Sequence, residues 1–260
     1  MPVFDVERLH VRVDESVDEM GSSAATDVAR RLRALLAEQE SVRAVFAAAA
    51  SQEAFLHALL REPGIDWGRV EVLQLDEYVG LGRGNPLSLR RWLESHLTHQ
   101  VAIGHAEYMD GAAESLADEC ARYGAVVTAR PIDFGLIGIG ENGHLAFNDP
   151  HVADFDDPHA VKVVDIDETS RVQQVRDGAF DALTSVPGRA LTLTMSAILQ
   201  IRILSVVVPG SHKAPAVARA LLGPVSAVCP ASALRRHADA TLYVDQAAFA
   251  GAQEQLTPAR

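Results

Sequence analysis

Short apolar runs of strand length alternate with amphipathic stretches of helical length along the whole chain, and this alternation constrains the fold more than any other feature. Strands separated by helices return in the same direction after each crossover. The pattern therefore predicts an α/β fold, a three-layer arrangement with an open, mainly parallel sheet flanked by helices, Rossmann-like in plan. A strand near residues 9–13 precedes "SVDEMGSSAATDVARRLRALLAEQ", whose helical apolar face is Val17, Met20, Ala24, Val28, Leu32 and Leu35. "VRAVFAAAA" reads as the next strand and "SQEAFLHALLRE" as a helix capped by Ser51. "RVEVLQLDEYVGLG" gives a strand whose carboxyl end carries Asp76 and Glu77, followed by helices around 86–97 and in "ESLADECARYGAVV". Further strands are expected in "IDFGLIGIG", "HAVKVVDID", "IRILSVVVPG" and "ATLYVD". Helices are expected in the polar stretch through Arg171 and Arg176 and in "SHKAPAVARALL", the latter opened by Ser211. With no linker or repeat, the 260 residues, 48% of them apolar, are expected to form one domain, residues 1–260.

The 23 basic side chains face 35 acidic ones, and the net charge of -12 argues against a nucleic-acid or anionic-membrane partner. A small anion held in a focused pocket stays compatible with it. No run approaches the roughly 20 apolar residues of a membrane span, and the start "MPVFDVERLHVRVDE" lacks the plan of a signal peptide. A cytoplasmic location follows as the expectation. Cys120 and Cys229 lie far apart without C-x-x-C spacing, which predicts buried, reduced thiols rather than a zinc site or a disulfide.

The segment "DFGLIGIGENGHLAFNDP", residues 133–150, holds a G-x-G-x-x-G at Gly138, Gly140 and Gly143 directly after an apolar strand. A dinucleotide fingerprint needs a helix of ordinary length after its third glycine, and Asn148, Asp149 and Pro150 interrupt it within two turns. The motif also lies in mid-chain, so no dinucleotide cofactor is expected. Glycines at a strand end still let the backbone approach a ligand closely. Pro150 biases Asp149 toward an extended conformation, which displays its carboxylate on a loop. His144 exchanges protons near neutral pH. With Asp149 nearby and the Asp76/Glu77 pair at another strand end, an acid/base cluster competes with two plainer readings, a backbone-bonded histidine and a solvated turn. The crowding of His144, Asp149, His151, Asp154, Asp156, Asp157 and His159 matches no familiar metal-ligand spacing, and no metal is expected.

Three segments in order, "LQLDEYVGL" at 73–81, "GIGENGHLAFNDP" at 138–150 and "VPGSHKA" at 208–214, resemble the signatures of glucosamine-6-phosphate deaminases. The related 6-phosphogluconolactonases share the fold, but "DEYVGL" and "HLAFN" favour the deaminase branch. The resemblance implies conversion of an amino sugar phosphate to a ketose phosphate and ammonia, with no cofactor and no catalytic metal. It assigns Asp76 as the base that takes the C2 proton and His144 as the group that opens the sugar ring. Asp149 stands where the family has an assisting glutamate, and Lys213 and Arg176 match its cationic phosphate ligands. The sequence departs from the family in three places. Its phosphate loop reads "AAAASQEAF", with Ser51 and Gln52 as approximate counterparts and backbone amides left to do the binding, while Gly140 and Gly143 of the later segment let backbone approach the substrate. Asn142 replaces an aspartate, with Glu141 one place earlier, and Asp149 is a methylene shorter than glutamate. Asp76 is expected to face the sugar and Glu77 to face away, since neighbours in a strand point oppositely. Glu141 is expected to project away from His144. Residues 165–189 are expected to form a mobile lid. A homo-oligomer is left open. A sugar-phosphate lactonase and a non-catalytic sugar-phosphate sensor are the alternatives, and the acidic chain without a DNA-binding module weighs against the sensor.

Overall fold

The computed structural model describes residues 2–256. Among these, the strands are β1 (Val3–Val6), β2 (Leu9–Asp14), β3 (Val42–Phe46), β4 (Val70–Gln74), β5 (Asp76–Tyr78), β6 (His105–Glu107), β7 (Phe134–Ile137), β8 (Val161–Asp165), β9 (Arg189–Leu193), β10 (Ile203–Val208) and β11 (Ala240–Asp245). Eight of them form one sheet in the order β1-β2-β11-β10-β7-β3-β4-β6. All its pairings are parallel except β1 on β2. Every residue of β3 and β7 is buried, as befits central strands covered by helices on both faces. From β3 the chain moves outward through β4 to β6; from β7 it moves the other way, through β10 to β11. The crevice between β3 and β7 is thus a topological switch point, where ligands bind beyond the strands' carboxyl ends.

Helix α1 (Val17–Glu38) starts where the Ser16 hydroxyl accepts the Glu19 N–H, and it buries Met20, Ala24, Val28, Leu32 and Leu35 against the sheet. Val17, assigned to the same face by periodicity, lies in the first turn and is 36% exposed. Gly21 lets α1 pass α2 (Glu53–Leu59) closely, because an added Cβ would sit 2.9 Å from the Ala54 carbonyl carbon. The remaining longer helices are α3 (Leu89–Leu93), continued by a π-helical turn, α4 (Leu116–Thr128), α5 (Glu168–Arg176), α6 (Met195–Leu199) and α7 (Ala214–Leu222). No helix of the described residues is long and apolar enough to cross a membrane.

Two local expectations are corrected. Ser51 lies inside a 3-10 turn, Ala50–Gln52, and α2 begins after Gln52 without a side-chain cap. Likewise Ser211 opens a 3-10 turn, Ser211–Lys213, ahead of α7 and caps nothing. A larger difference concerns "LQLDEYVG". The strand stops at Gln74, and Asp76 begins β5 of a separate antiparallel sheet, β5-β9-β8. That small sheet encloses its own apolar cluster of Tyr78, Phe147, Val164, Ile166, Phe180, Val186 and Ala190.

Candidate active site

A cavity of about 370 Å³ opens beyond the carboxyl ends of β3, β4 and β7. Asp76, Gly140, His144, Ser51, Gln52 and Lys213 all line it. Asp76 is 8% exposed and its carboxylate has no hydrogen-bond partner among the described residues. Burial, reinforced by the Glu77 charge, pushes its pKa up to about 8. Glu77 points the other way, as strand geometry requires. Its Oε1 accepts from Tyr78 N (2.8 Å) and Leu89 N (3.0 Å), and its Oε2 from Arg90 N (2.8 Å) and Gln74 Nε2 (3.0 Å). Burial raises its pKa against those bonds. Glu77 therefore ties β5 to the first turn of α3, and Asp76 alone of the pair is free for a ligand.

No helix follows the glycines. The chain after β7 folds back in turns, with Gly143 N donating to Gly140 O and Gly140 N to His144 O, both at 2.9 Å. Gly143 has φ +92°, and a Cβ there would meet Cys229 Sγ at 2.7 Å; it shapes the turn without lining the cavity. At Gly140 the His144 ring occupies the place of a Cβ, with ring atoms 2.0–2.4 Å from it, so only glycine admits the histidine here.

His144 Nδ1 is surrounded by three oxygens, Asn142 Oδ1 at 2.8 Å, Ser170 Oγ at 2.9 Å and Asp149 Oδ1 at 3.0 Å. Such a nest places the hydrogen of the neutral ring on Nδ1 and leaves Nε2 as the basic nitrogen. The Asn142 amide is oriented by its other contacts: Oδ1 also accepts from His144 N (3.0 Å), and Nδ2 donates to Asp149 Oδ1 (2.8 Å). Asp149 is fully buried. Its Oδ1 also accepts from Ser170 Oγ (2.5 Å) and its Oδ2 from Asp167 N (2.9 Å). Burial alone would raise its pKa, but the hydrogen bond and charge of His144, with the Asn142 and Ser170 bonds, hold the carboxyl well below its usual range.

Lys213 is 2% exposed, and its ammonium has no hydrogen-bond partner among the described residues. Burial lowers its pKa to about 8 against the pull of Asp177 and Glu141. Arg176, expected as the second phosphate cation across the pocket from it, does not line the cavity. Half exposed at the end of α5, it pairs with Glu141. Glu141 thus points to Arg176 rather than to His144. Also lining the cavity, Gln52 donates through Nε2 to Ser51 Oγ (3.3 Å) and Val207 O (3.2 Å), while its buried Oε1 has no partner among the described residues. Glu141, Asp177 and His212 bring ligand atoms within 4.8 Å of one another. The charges of Arg176 and Lys213 already balance that cluster.

Sequence reasoning missed Ser170 and Gln173, which are buried on a mostly polar helix whose apolar residues are Val172 and Val175. The signal available was their three-residue spacing, which sets both on one face.

The family of glucosamine-6-phosphate isomerases and 6-phosphogluconolactonases matches residues 15–243. A glucosamine-6-phosphate deaminase of Bacillus thuringiensis (strain Al Hakam) is 33% identical over 201 residues, 77% of this chain and 75% of that protein. Among solved structures, a monomeric glucosamine-6-phosphate deaminase superposes with a TM-score of 0.84 at 28% identity, covering 93% of this chain and 99% of the other. A 6-phosphogluconolactonase of Thermotoga maritima shares the fold, with a TM-score of 0.69 at 19% identity over 92% of this chain and 99% of its own. The three sequence segments, the switch-point cavity they line and these matches agree that the chain belongs to the glucosamine-6-phosphate isomerase/6-phosphogluconolactonase family of enzymes.

Proposed function

We propose that this enzyme is an aldose-ketose isomerising deaminase that converts glucosamine 6-phosphate, or a close amino sugar phosphate, to fructose 6-phosphate and ammonia. The observation that carries the reading is Asp76, a buried carboxylate left unpaired in the same cavity as the His144 relay. Its pKa of about 8 in the free protein suits a substrate that brings its own cation. An ammonium on C2 lies beside the proton to be removed and favours the ionised carboxylate. A lactone carries no such charge.

Lys213, the amides of the turn after β3, Ser51 and Gln52 hold the phosphate. His144 Nε2 takes the C1 hydroxyl proton and returns it to the ring oxygen, opening the sugar, while Asp149 stabilises the transient imidazolium and Asn142 orients the ring. Asp76 then takes the C2 proton. Its delivery to C1, with a proton passing from the nitrogen to O1, leaves an imine at C2; water adds there, and ammonia departs. Arg176 joins the phosphate by exchanging Glu141 for it. Residues 165–189 act as the lid, since Gln173, Gln174, Asp177, Gly178 and Ala179 form part of the cavity wall. The two sheets work as one domain around this cavity.

The test offers glucosamine 6-phosphate and 6-phosphogluconolactone separately and follows ammonia and acid. Ammonia from the amino sugar, abolished together with C2-proton exchange by Asp76→Asn, is the expected result. Acid release from the lactone without ammonia from the amino sugar overturns the reading.

A further inference from the structure

One face of α5 is bonded to the turn that carries the relay. Asp167, Ser170 and Gln173 are spaced by three residues, so they share a helix face. Asp167 N donates to Asp149 Oδ2 (2.9 Å), Ser170 Oγ meets Asp149 Oδ1 (2.5 Å) and His144 Nδ1 (2.9 Å), and Gln173 Oε1 accepts from Glu141 N (2.9 Å). Ser170 is 1% exposed. Its hydroxyl has one hydrogen and two lone pairs. An ionised Asp149 can only accept, so the hydrogen goes to the carboxylate and a lone pair faces the Nδ1–H of His144.

We propose that Ser170 is a positioning residue of the His144 relay, fixing the Asp149 carboxylate and the histidine ring at once, so that the relay is complete only while α5 is seated on the turn. Ser170 touches no reacting atom. It acts through the two groups it bonds, and its place on α5 makes helix docking a condition of ring opening. The kinetic part of this inference rests on the deaminase reading; the bonding part does not.

Two measurements on Ser170→Ala and Ser170→Thr test it. The first titrates His144 by NMR in the substrate-free protein, with His144→Gln to assign the signal. The groups around the ring are Asp149 on its own turn and, in the shared cavity, Asp76 from β5 and Lys213 from the turn after β10. Neither variant alters their charge. The shortest Nδ1 contact, to Asn142, persists in the alanine variant, whereas Asp149 loses a donor and holds the imidazolium harder. The His144 titration should then move upward in the alanine variant, and threonine, which restores the hydroxyl, should return it to the wild-type position. The second measurement is ammonia release, where alanine should lower kcat about 10- to 100-fold with KM nearly unchanged, and threonine should recover most of it. An unshifted His144 titration in Ser170→Ala, or kcat within about twofold of wild type, overturns the inference. Absence of ammonia from the wild-type protein refutes the deaminase reading instead, and the titration then decides on Ser170 alone.

Discussion

Replacing Asp76 by asparagine should make the protein more stable and inactive, with a stability gain that grows with pH. In the unfolded chain the carboxyl ionises near its ordinary 3.8, whereas burial and the adjacent Glu77 push it up to about 8 in the folded protein. Between those values the folded state holds more protons than the unfolded one, so folding stability falls as pH rises through that window. A gap of about 4 pH units at about 1.4 kcal/mol each sets a ceiling of roughly 6 kcal/mol. Water in the open cavity screens the charge, which brings the expected cost to about 2–4 kcal/mol at pH 8 and above. Asparagine has the same shape and no charge to lose. Urea unfolding of both proteins at pH 5 and pH 8 reads the effect directly. The advantage of Asp76→Asn should widen by about 2–3 kcal/mol between the two, or roughly 4–10 °C in Tm. A difference that stays constant, or narrows as pH rises, would refute the claim that Asp76 is held against the folded state's own preference. This is the trade of stability for activity expected where a buried base must stay unpaired until substrate arrives.

Lys213→Met should raise KM for the phosphorylated sugar about ten- to hundredfold with little change in kcat. In the wild type KM should climb above about pH 8, where burial lets the Lys213 ammonium lose its proton; steady-state kinetics from pH 6 to 9 check both. The half-exposed Arg176–Glu141 pair is worth about 0.5–1 kcal/mol. Glu141→Gln should therefore lower KM about two- to fivefold, and Arg176→Ala should raise it. A higher KM in Glu141→Gln would show that the pair is needed to seat α5. Asn142→Asp removes the amide hydrogen that now reaches Asp149 Oδ1 at 2.8 Å and sets two carboxylates in contact. They cannot both ionise cheaply, so this variant should lose on the order of 1–3 kcal/mol relative to wild type as pH rises from 5 to 8, read by the same urea unfolding.

The alternation of apolar runs foretold the parallel sheet because strands buried on both faces are apolar along most of their length, and β3, β7 and β10 are, interrupted by Arg43 and Ser205. The same rule hid the second sheet. Nothing within "LQLDEYVG" marks the step from Gln74 to Asp76, since Leu73 and Leu75 before it and Tyr78 and Val79 after it all read as strand. What separates them is pairing with β9, far along the chain, and local pattern carries no information about that partner. The site was legible to the extent that its chemistry lies in contiguous motifs. Asp76, His144, Asp149, Ser51, Gln52 and Lys213 all reach one cavity or its supporting network, whereas Arg176 faces Glu141. Asn142 shows the limit most sharply. Read along the chain, it is a missing charge beside His144. In the folded protein its two ends are used differently, the oxygen toward the histidine and the amide toward Asp149. A carboxylate can do only the first without a proton. Asparagine is the residue that joins an acceptor-only carboxylate to a donor ring nitrogen by bonding each with the matching atom.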